Sequence, residues 1–273
     1  MCGASAAAPR NITHTNLNQT SMNQNTTQLT KTTTIITSKI PISTVKLPDP
    51  QIYNNGQPVA RGVYPAGYVF GTLIGAIIGA DPGDTIMLES NATFNQIGTG
   101  LIISKNLNFD VFNNGTAYIN GNGISSTGHI FTINPGVTVN INNIVFENAL
   151  NTAIENSGDL TVNNCTFLNN TVDGAIYSNG TYCTINDTIF ENNSASFGGA
   201  IYNDVGSSLT VNNSAFTNNK ANADGGAIWN EGLLTLTSNN LINNSAYNDD
   251  GAIFNNTGGL LMQFSTDLLE TPQ

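Results

Sequence analysis

The sequence contains few charged residues and very few basic ones. Only 9% of its 273 residues are charged, with 7 basic against 18 acidic side chains, and the formal net charge is −11. An acidic chain repels nucleic acids and anionic lipids, so nucleic-acid binding is disfavoured. Low charge together with abundant Asn, Thr, Ser and Gly is typical of secreted or repeat-built surface proteins and differs from an ordinary cytosolic enzyme.

Cysteine is also scarce, which argues against a disulfide framework. The three cysteines are Cys2, Cys165 and Cys183, and none of them forms the CxxC spacing of a zinc site. Cys165 and Cys183 occupy different positions of successive repeats, about five strand residues out of step. At roughly 3.3 Å per residue, that offset exceeds the reach of a disulfide. We therefore expect both to be small, buried, unpaired residues.

Long hydrophobic runs are missing as well. The most apolar stretch, YVFGTLIGAIIGA at residues 68–80, is too short to span a bilayer, so no transmembrane helix is predicted. Residues 67–81 are instead predicted to form a short helix that caps the β structure following it. Residues 1–10 resemble the end of a secretory signal, and the Thr- and Asn-rich residues 11–66 are predicted to be a disordered leader.

The sequence does contain a repeat, which spans residues 139–259. Its clearest copies are FENNSASFGGAIYN at residues 190–203 and FTNNKANADGGAIWN at residues 216–230. Each copy has an apolar–polar–apolar opening, an anchor residue and an alanine–isoleucine block. The anchors are Phe146, Phe167, Phe190, Phe216 and Leu241, and the blocks begin at Ala153, Ala175, Ala200, Ala227 and Ala252. Period-two alternation in the opening predicts a strand, and the second block is predicted to be another.

A repeat that contains only these short strands cannot bury its own apolar face and must stack on its neighbours. We therefore predict an all-β fold, a single-stranded parallel β-helix over residues 82–262, in which each turn lies about 4.8 Å above the last. Residues 263–273 are predicted to be an irregular tail. Columns of asparagine support stacking, because stacked amides form hydrogen-bonded ladders and asparagine tolerates the left-handed backbone of sharp corners. The columns are Asn142, Asn163, Asn186 and Asn212, and Asn148, Asn169, Asn192, Asn218 and Asn243.

Two sets of motifs resemble known families. The stretch TLIGAIIGADPGDTIMLESNATFN, with LIISKNLNF and HIFTINPGVTVNINNIVFEN, resembles the N-terminal turns of the pectate-lyase-like right-handed β-helix superfamily. The copies with FxNN and GGAI resemble the repeats of chlamydial polymorphic outer-membrane proteins and of adhesin-like surface proteins of methanogenic archaea. The resemblance covers roughly residues 70–259. It implies a right-handed helix and a noncatalytic adhesin-like protein, extracellular or at the cell surface.

The superfamily also contains enzymes, and its lyases use an arginine or lysine base beside carboxylates that hold calcium. After Gly62 the chain has no arginine, and its only lysines are Lys105 and Lys220. Asp249-Asp250 is the one acidic doublet, and His129 is distant from it in sequence. We expect no catalytic residue, no cofactor and no metal site.

Some functional alternatives stay open at this stage. Asp173, Asp224 and Asp250 lie near the Gly-Ala-Ile blocks, which leaves weak calcium binding open. A polysaccharide lyase or glycoside hydrolase is the alternative function, and a purely structural surface or stalk protein is a third.

Two kinds of surface site are predicted. Tyr177, Tyr202 and Trp229 each follow an isoleucine of the second block, and if they point outward they form a stripe that stacks on sugar rings. The predicted partner is a glycan or protein on the surface of another cell. Asn-x-Ser/Thr sequons are numerous, and the better candidates for N-glycosylation are Asn11, Asn18, Asn25 and Asn179.

Overall fold

The computed structural model describes residues 53–54, 57–58, 73–248 and 251–269. Its helical segments are the α-helix α1 (Leu73–Gly79) and a short 3-10 turn at Phe112–Asn114. Its strands are, in chain order, β1 (Tyr53–Asn54), β2 (Gln57–Pro58), β3 (Thr85–Leu88), β4 (Thr93–Ile103), β5 (Leu107–Val111), β6 (Ala117–Ile133), β7 (Thr138–Asn142), β8 (Ile144–Glu147), β9 (Ile154–Asn156), β10 (Asp159–Asn163), β11 (Thr166–Leu168), β12 (Ile176–Ser178), β13 (Tyr182–Asn186), β14 (Ile189–Glu191), β15 (Ser194–Ala195), β16 (Ile201–Asn203), β17 (Ser208–Asn212), β18 (Ala215–Thr217), β19 (Lys220–Ala221), β20 (Ile228–Asn230), β21 (Leu233–Thr237), β22 (Asn240–Ile242), β23 (Ser245–Ala246), β24 (Ile253–Asn255), β25 (Leu260–Phe264) and β26 (Asp267–Leu269).

From β3 onward these strands coil into a parallel β-solenoid. The first sheet has 8 strands in the order β25-β21-β17-β13-β10-β7-β5-β3. A second sheet of 13 strands has two branches joined by the long strand β6. We call β8, β11, β14, β18, β22 and β26 the anchor branch, and β9, β12, β16, β20 and β24 the tyrosine branch. The predicted all-β parallel solenoid with a short helix near its N-terminal end is confirmed, while its right-handedness stays a prediction.

The phenylalanine anchors form the centre of the core. Phe146, Phe167, Phe190 and Phe216 are in register on the anchor branch and have no solvent exposure. Their ring centroids are 5.1, 4.9 and 4.6 Å apart in succession, and adjacent rings are within 9° of parallel. Such a stack adds about 0.5–1.5 kcal/mol per ring pair to the free energy of burial.

The predicted asparagine columns are confirmed, and each has a distinct role. Asn148, Asn169, Asn192, Asn218 and Asn243 are corners with φ between 55° and 57°. The other column is a ladder on the outer face of the first sheet. Along it, Asn163 donates to Asn142 at 2.9 Å, Asn186 to Asn163 at 2.8 Å and Asn212 to Asn186 at 3.0 Å.

A second ladder, which the sequence reasoning did not anticipate, is buried and explains the Asn-Asn doublet. Each corner asparagine is followed by an inward-pointing one in four copies, at Asn170, Asn193, Asn219 and Asn244. The Asn193 amide, for example, donates to the Phe167 carbonyl at 3.0 Å and to Asn219 Oδ1 at 2.9 Å. A buried amide is stabilised only when it is hydrogen-bonded, and these amides satisfy one another from turn to turn.

The helix α1 is shorter than the predicted capping helix over residues 67–81, of which residues 67–72 lie outside the described part. Its buried residues Leu73, Ala76 and Ile77 join the solenoid core. Lys105 Nζ donates to the carbonyls of Ile78 at 2.9 Å and Ala80 at 2.6 Å, which satisfies acceptors at the C-terminal end of the helix. Among the described residues, no helix is long and apolar enough to span a bilayer.

The predicted boundaries need correction at both ends. Strands β25 and β26 extend the solenoid to Leu269, beyond the predicted end at residue 262, so the tail over 263–273 is not wholly irregular. The FxNN and GGAI motifs are lost there, but parallel backbone pairing persists and Ser265 takes the left-handed corner. Within the leader predicted to be disordered over residues 11–66, β1 and β2 form an antiparallel pair. Residues 1–10 lie outside the described part.

The two cysteines of the solenoid are as predicted. Cys165 and Cys183 are buried and free. Burial raises the pKa of each thiol to about 12, so neither is a reactive thiolate at neutral pH.

Candidate binding face

The candidate binding face is the outer surface of the tyrosine branch. Each of its strands begins with an inward isoleucine and ends with an inward Asn or Ser in β9, β12, β16 and β20. The middle residue therefore points outward, because side chains alternate along a strand. These middle residues align in register and form what we call the outer column: Glu155, Tyr177, Tyr202, Trp229 and Phe254.

The rings of the outer column stack on one another along the solenoid axis. Tyr177 and Tyr202 are 5.3 Å apart and tilted by 40°. Tyr202 and Trp229 are 6.1 Å apart at 23°, and Trp229 and Phe254 are 4.5 Å apart at 19°. Ring faces are thus directed mainly at neighbouring rings, and Tyr177 and Tyr202 are half-buried.

Trp229 differs from the two tyrosines because a loop covers it. The ring of Phe197, which precedes β16, lies 4.5 Å from the Trp229 ring at 58°. Trp229 is only 9% exposed, whereas Phe197 is 40% exposed. The structure thus places the three predicted stripe residues in one column but leaves only Tyr177 and Tyr202 half-exposed. Sugar stacking by this stripe stays a prediction.

Two carboxylates hold the tyrosine hydroxyls. Tyr177 Oη donates to Asp204 Oδ2 at 2.6 Å, and Tyr202 Oη donates to Glu231 Oε2 at 3.0 Å. Asn256 Nδ2 donates to the other oxygen of Glu231 at 2.6 Å. Burial, reinforced by the bond to Glu231, raises the pKa of Tyr202 to about 12, and burial and Asp204 likewise raise the pKa of Tyr177. Both hydroxyls are therefore protonated donors at neutral pH.

This pKa shift gives a testable pH dependence. Because the pKa of Tyr202 in the folded protein lies above the ordinary value of about 10, its stabilising contribution is complete below pH 10 and is lost as pH rises toward 12. We expect the urea midpoint of the wild type to fall more steeply than that of Tyr202→Phe across this range. Parallel pH profiles of the two proteins would contradict the assignment.

Sequence reasoning missed a pair at one end of this face. His129 Nε2 lies 3.2 Å from Glu155 Oε2, and His129 Nδ1 lies 3.2 Å from the Thr152 carbonyl. Thr132 Oγ1 also donates to Glu155 at 3.5 Å. The pairing of β6 with β9 brings these residues together, because one turn of the coil separates them. The alignment of HIFTI with the Ala-Ile blocks was the signal in the sequence.

The remaining candidates are dispersed. Lys105 is engaged at the end of α1, and Lys220 is exposed on β19. Asp173 is exposed at a corner, and Asp250 lies outside the described residues. Within the described ranges, no three His, Cys, Asp or Glu side chains group closely enough to hold a metal ion.

Of the four glycosylation candidates, one lies among the described residues. Asn11, Asn18 and Asn25 lie outside the described residues. Asn179 is exposed in the turn between β12 and β13, and its backbone N–H donates to the Asn156 carbonyl at 2.9 Å. Glycosylation at these positions stays a prediction.

Comparison with known families identifies two of the turns. Residues 187–204 and 213–231 match the family model of the Chlamydia polymorphic membrane protein (Chlamydia_PMP) repeat. These two segments are thus similar to PMP-type repeats, and both lie in turns of the β-solenoid. Each matched segment begins at the corner before the anchor branch and runs through the FxNN corner and the Gly-Gly-Ala-Ile block to the carboxylate that holds a tyrosine, Asp204 or Glu231. No curated protein and no solved structure matches the chain.

Proposed function

We propose that this chain is a noncatalytic, adhesin-like protein of the cell surface that binds a glycan of another cell through its outer column. The observation that carries the proposal is the outer column itself, in which tyrosine rings and carboxylate-bonded hydroxyls are held on a rigid parallel sheet. The PMP-type repeats support a surface location, because the matched family is described as a membrane protein repeat.

The chemistry of the column suits a polyhydroxylated ligand. Tyr177 and Tyr202 are half-buried and combine an apolar ring with a hydroxyl, and amphipathic aromatic side chains of this kind are enriched at binding surfaces. The Asp204 and Glu231 carboxylates accept hydrogen bonds from the tyrosines, so their positions are set before a ligand arrives. Such preorganisation reduces the entropy lost on binding.

A double substitution on the binding face tests the proposal. Tyr177→Ala combined with Tyr202→Ala is expected to weaken binding to a glycan array and to intact cells about tenfold, which corresponds to about 1.4 kcal/mol of binding free energy. The matched control is Thr184→Ala combined with Thr210→Ala, two neighbouring half-buried residues on the outer face of the first sheet. Equal binding by both folded variants and the wild type would contradict the proposal.

A further inference from the structure

The indole N–H of Trp229 is a buried donor without an acceptor. Trp229 is 9% exposed, and its Nε1 has no hydrogen-bond partner among the described residues. Leaving a buried donor unpaired destabilises a folded protein, so such a group is rare and needs a reason. Its neighbours on the outer column are Tyr202, which donates its hydroxyl to Glu231, and Phe254.

The Trp229 indole lies beside the Tyr202–Glu231 pair. Burial raises the pKa of the Tyr202 hydroxyl, and the Trp229 N–H acts on the same hydroxyl in the opposite sense. By geometry, however, the indole N–H forms no hydrogen bond with that hydroxyl or with any other described group. The tyrosine hydroxyls of the outer column and the carboxylates of Asp204 and Glu231 are, by contrast, all hydrogen-bonded.

The carboxylates of Asp204 and Glu231 accept hydrogen bonds from neutral donors. Asp204 accepts from the Tyr177 hydroxyl and from the Val205 N–H at 2.7 Å. Glu231 accepts from the Tyr202 hydroxyl and from the Asn256 amide. Each carboxylate oxygen has more than one lone pair, so both groups keep the capacity to accept from a ligand.

A ligand that satisfies all of these groups must both donate and accept hydrogen bonds. Ammonium and guanidinium groups only donate, so they leave the indole N–H unpaired. Carboxylate or sulfate groups would accept from the indole but would be repelled by Asp204 and Glu231. A sugar hydroxyl donates to a carboxylate and accepts from an N–H with the same oxygen.

We infer that the outer column recognises an uncharged glycan, with the Trp229 N–H donating to a sugar oxygen and Asp204 and Glu231 accepting from sugar hydroxyls. This inference rests on the proposed glycan-binding function and adds the class of glycan. Phe197 covers the indole, so its ring turns aside when the ligand binds. Trp229 is then a specificity residue, and the tyrosines supply contact area.

The substitution Trp229→Phe tests the inference because it keeps an aromatic ring in the stack and removes the N–H together with the pyrrole part of the indole. Binding is measured by affinity electrophoresis with dextran and galactomannan as neutral probes, polygalacturonate and hyaluronate as anionic probes, and polylysine as a cationic probe. We expect the wild type to prefer a neutral probe and Trp229→Phe to bind it about tenfold more weakly. The phenyl ring is smaller than the indole and leaves part of its buried volume empty, so a modest fall in the melting temperature is expected, and binding is compared at a temperature at which both proteins are folded.

A second variant tests access to the indole. Phe197→Ala uncovers the indole and is expected to bind the neutral probe at least as tightly as the wild type. Weaker binding by Phe197→Ala or unchanged binding by Trp229→Phe would each overturn the inference.

The binding measurements also distinguish this inference from the proposed function on which it rests. A wild-type protein that binds cells but selects the anionic probes or polylysine would overturn the inference and leave surface binding in place. A wild-type protein that binds neither cells nor any glycan probe would contradict the proposed function itself.

Discussion

Replacing Asn193 with alanine is expected to reduce the free energy of unfolding by about 3–5 kcal/mol. The Asn193 side chain is fully buried, and its amide nitrogen donates to the Phe167 carbonyl and to Asn219 Oδ1. Its Oδ1 accepts from the backbone N–H and the side-chain amide of Asn170. Alanine removes these bonds on both neighbouring turns, and each buried group left unsatisfied costs about 1–3 kcal/mol.

The matched control is the adjacent residue, Asn192, which has the same side chain in a different role. Asn192 is exposed at the corner with φ of 56°. Asn192→Ala is expected to cost only about 1 kcal/mol, the penalty for alanine in a left-handed conformation, and Asn192→Gly close to none. Urea denaturation of the three variants measures the differences. Equal losses at positions 192 and 193 would contradict the assignment of a buried ladder.

Phe190→Ala is expected to destabilise the protein by about 3–5 kcal/mol, because a fully buried ring is lost from the middle of the stack. The cavity would separate Phe167 from Phe216, whose rings lie 4.9 and 4.6 Å from that of Phe190. The control Ile189→Ala removes a neighbouring apolar side chain that is 45% exposed, and it is expected to cost less than about 1 kcal/mol.

The location of the turns that lose stability gives a further test of Phe190→Ala. In a stack where each turn contacts only its neighbours, the loss should be concentrated in adjacent turns. Hydrogen exchange is therefore expected to accelerate most in β11, β14 and β18 of Phe190→Ala. Uniform acceleration across the described turns, or an unfolding midpoint equal to that of the wild type, would contradict this picture.

The sequence predicted the solenoid because its period and its apolar columns both follow from stacking. Phe190 and Phe216 recur at one position of the repeat, and they pair in the structure as that position requires. The role of the asparagine doublet was predictable only for its first residue, the corner asparagine. Asn192 and Asn193 are the same residue type at adjacent positions, and only the left-handed backbone of the first turns the second into the core.

The candidate site was less predictable because it depends on contacts between turns of unequal length. The alternation of side chains along the strands predicted that Tyr177, Tyr202 and Trp229 lie in one column. The burial of Trp229 was not predictable in this way, because it involves contact with Phe197 from a loop. The His129–Glu155 pair depends on the register between β6 and β9, in a part of the chain where the repeat is least regular.

The most direct test of the proposed surface function is quantitative binding of purified wild-type protein and paired variants to intact cells and a glycan array. We predict that the Tyr177→Ala, Tyr202→Ala protein binds about tenfold more weakly than the wild type, and that the Thr184→Ala, Thr210→Ala protein binds as the wild type does. Binding that survives the loss of both tyrosines in a folded protein, or that is lost equally in the threonine variant, would contradict recognition through the outer column.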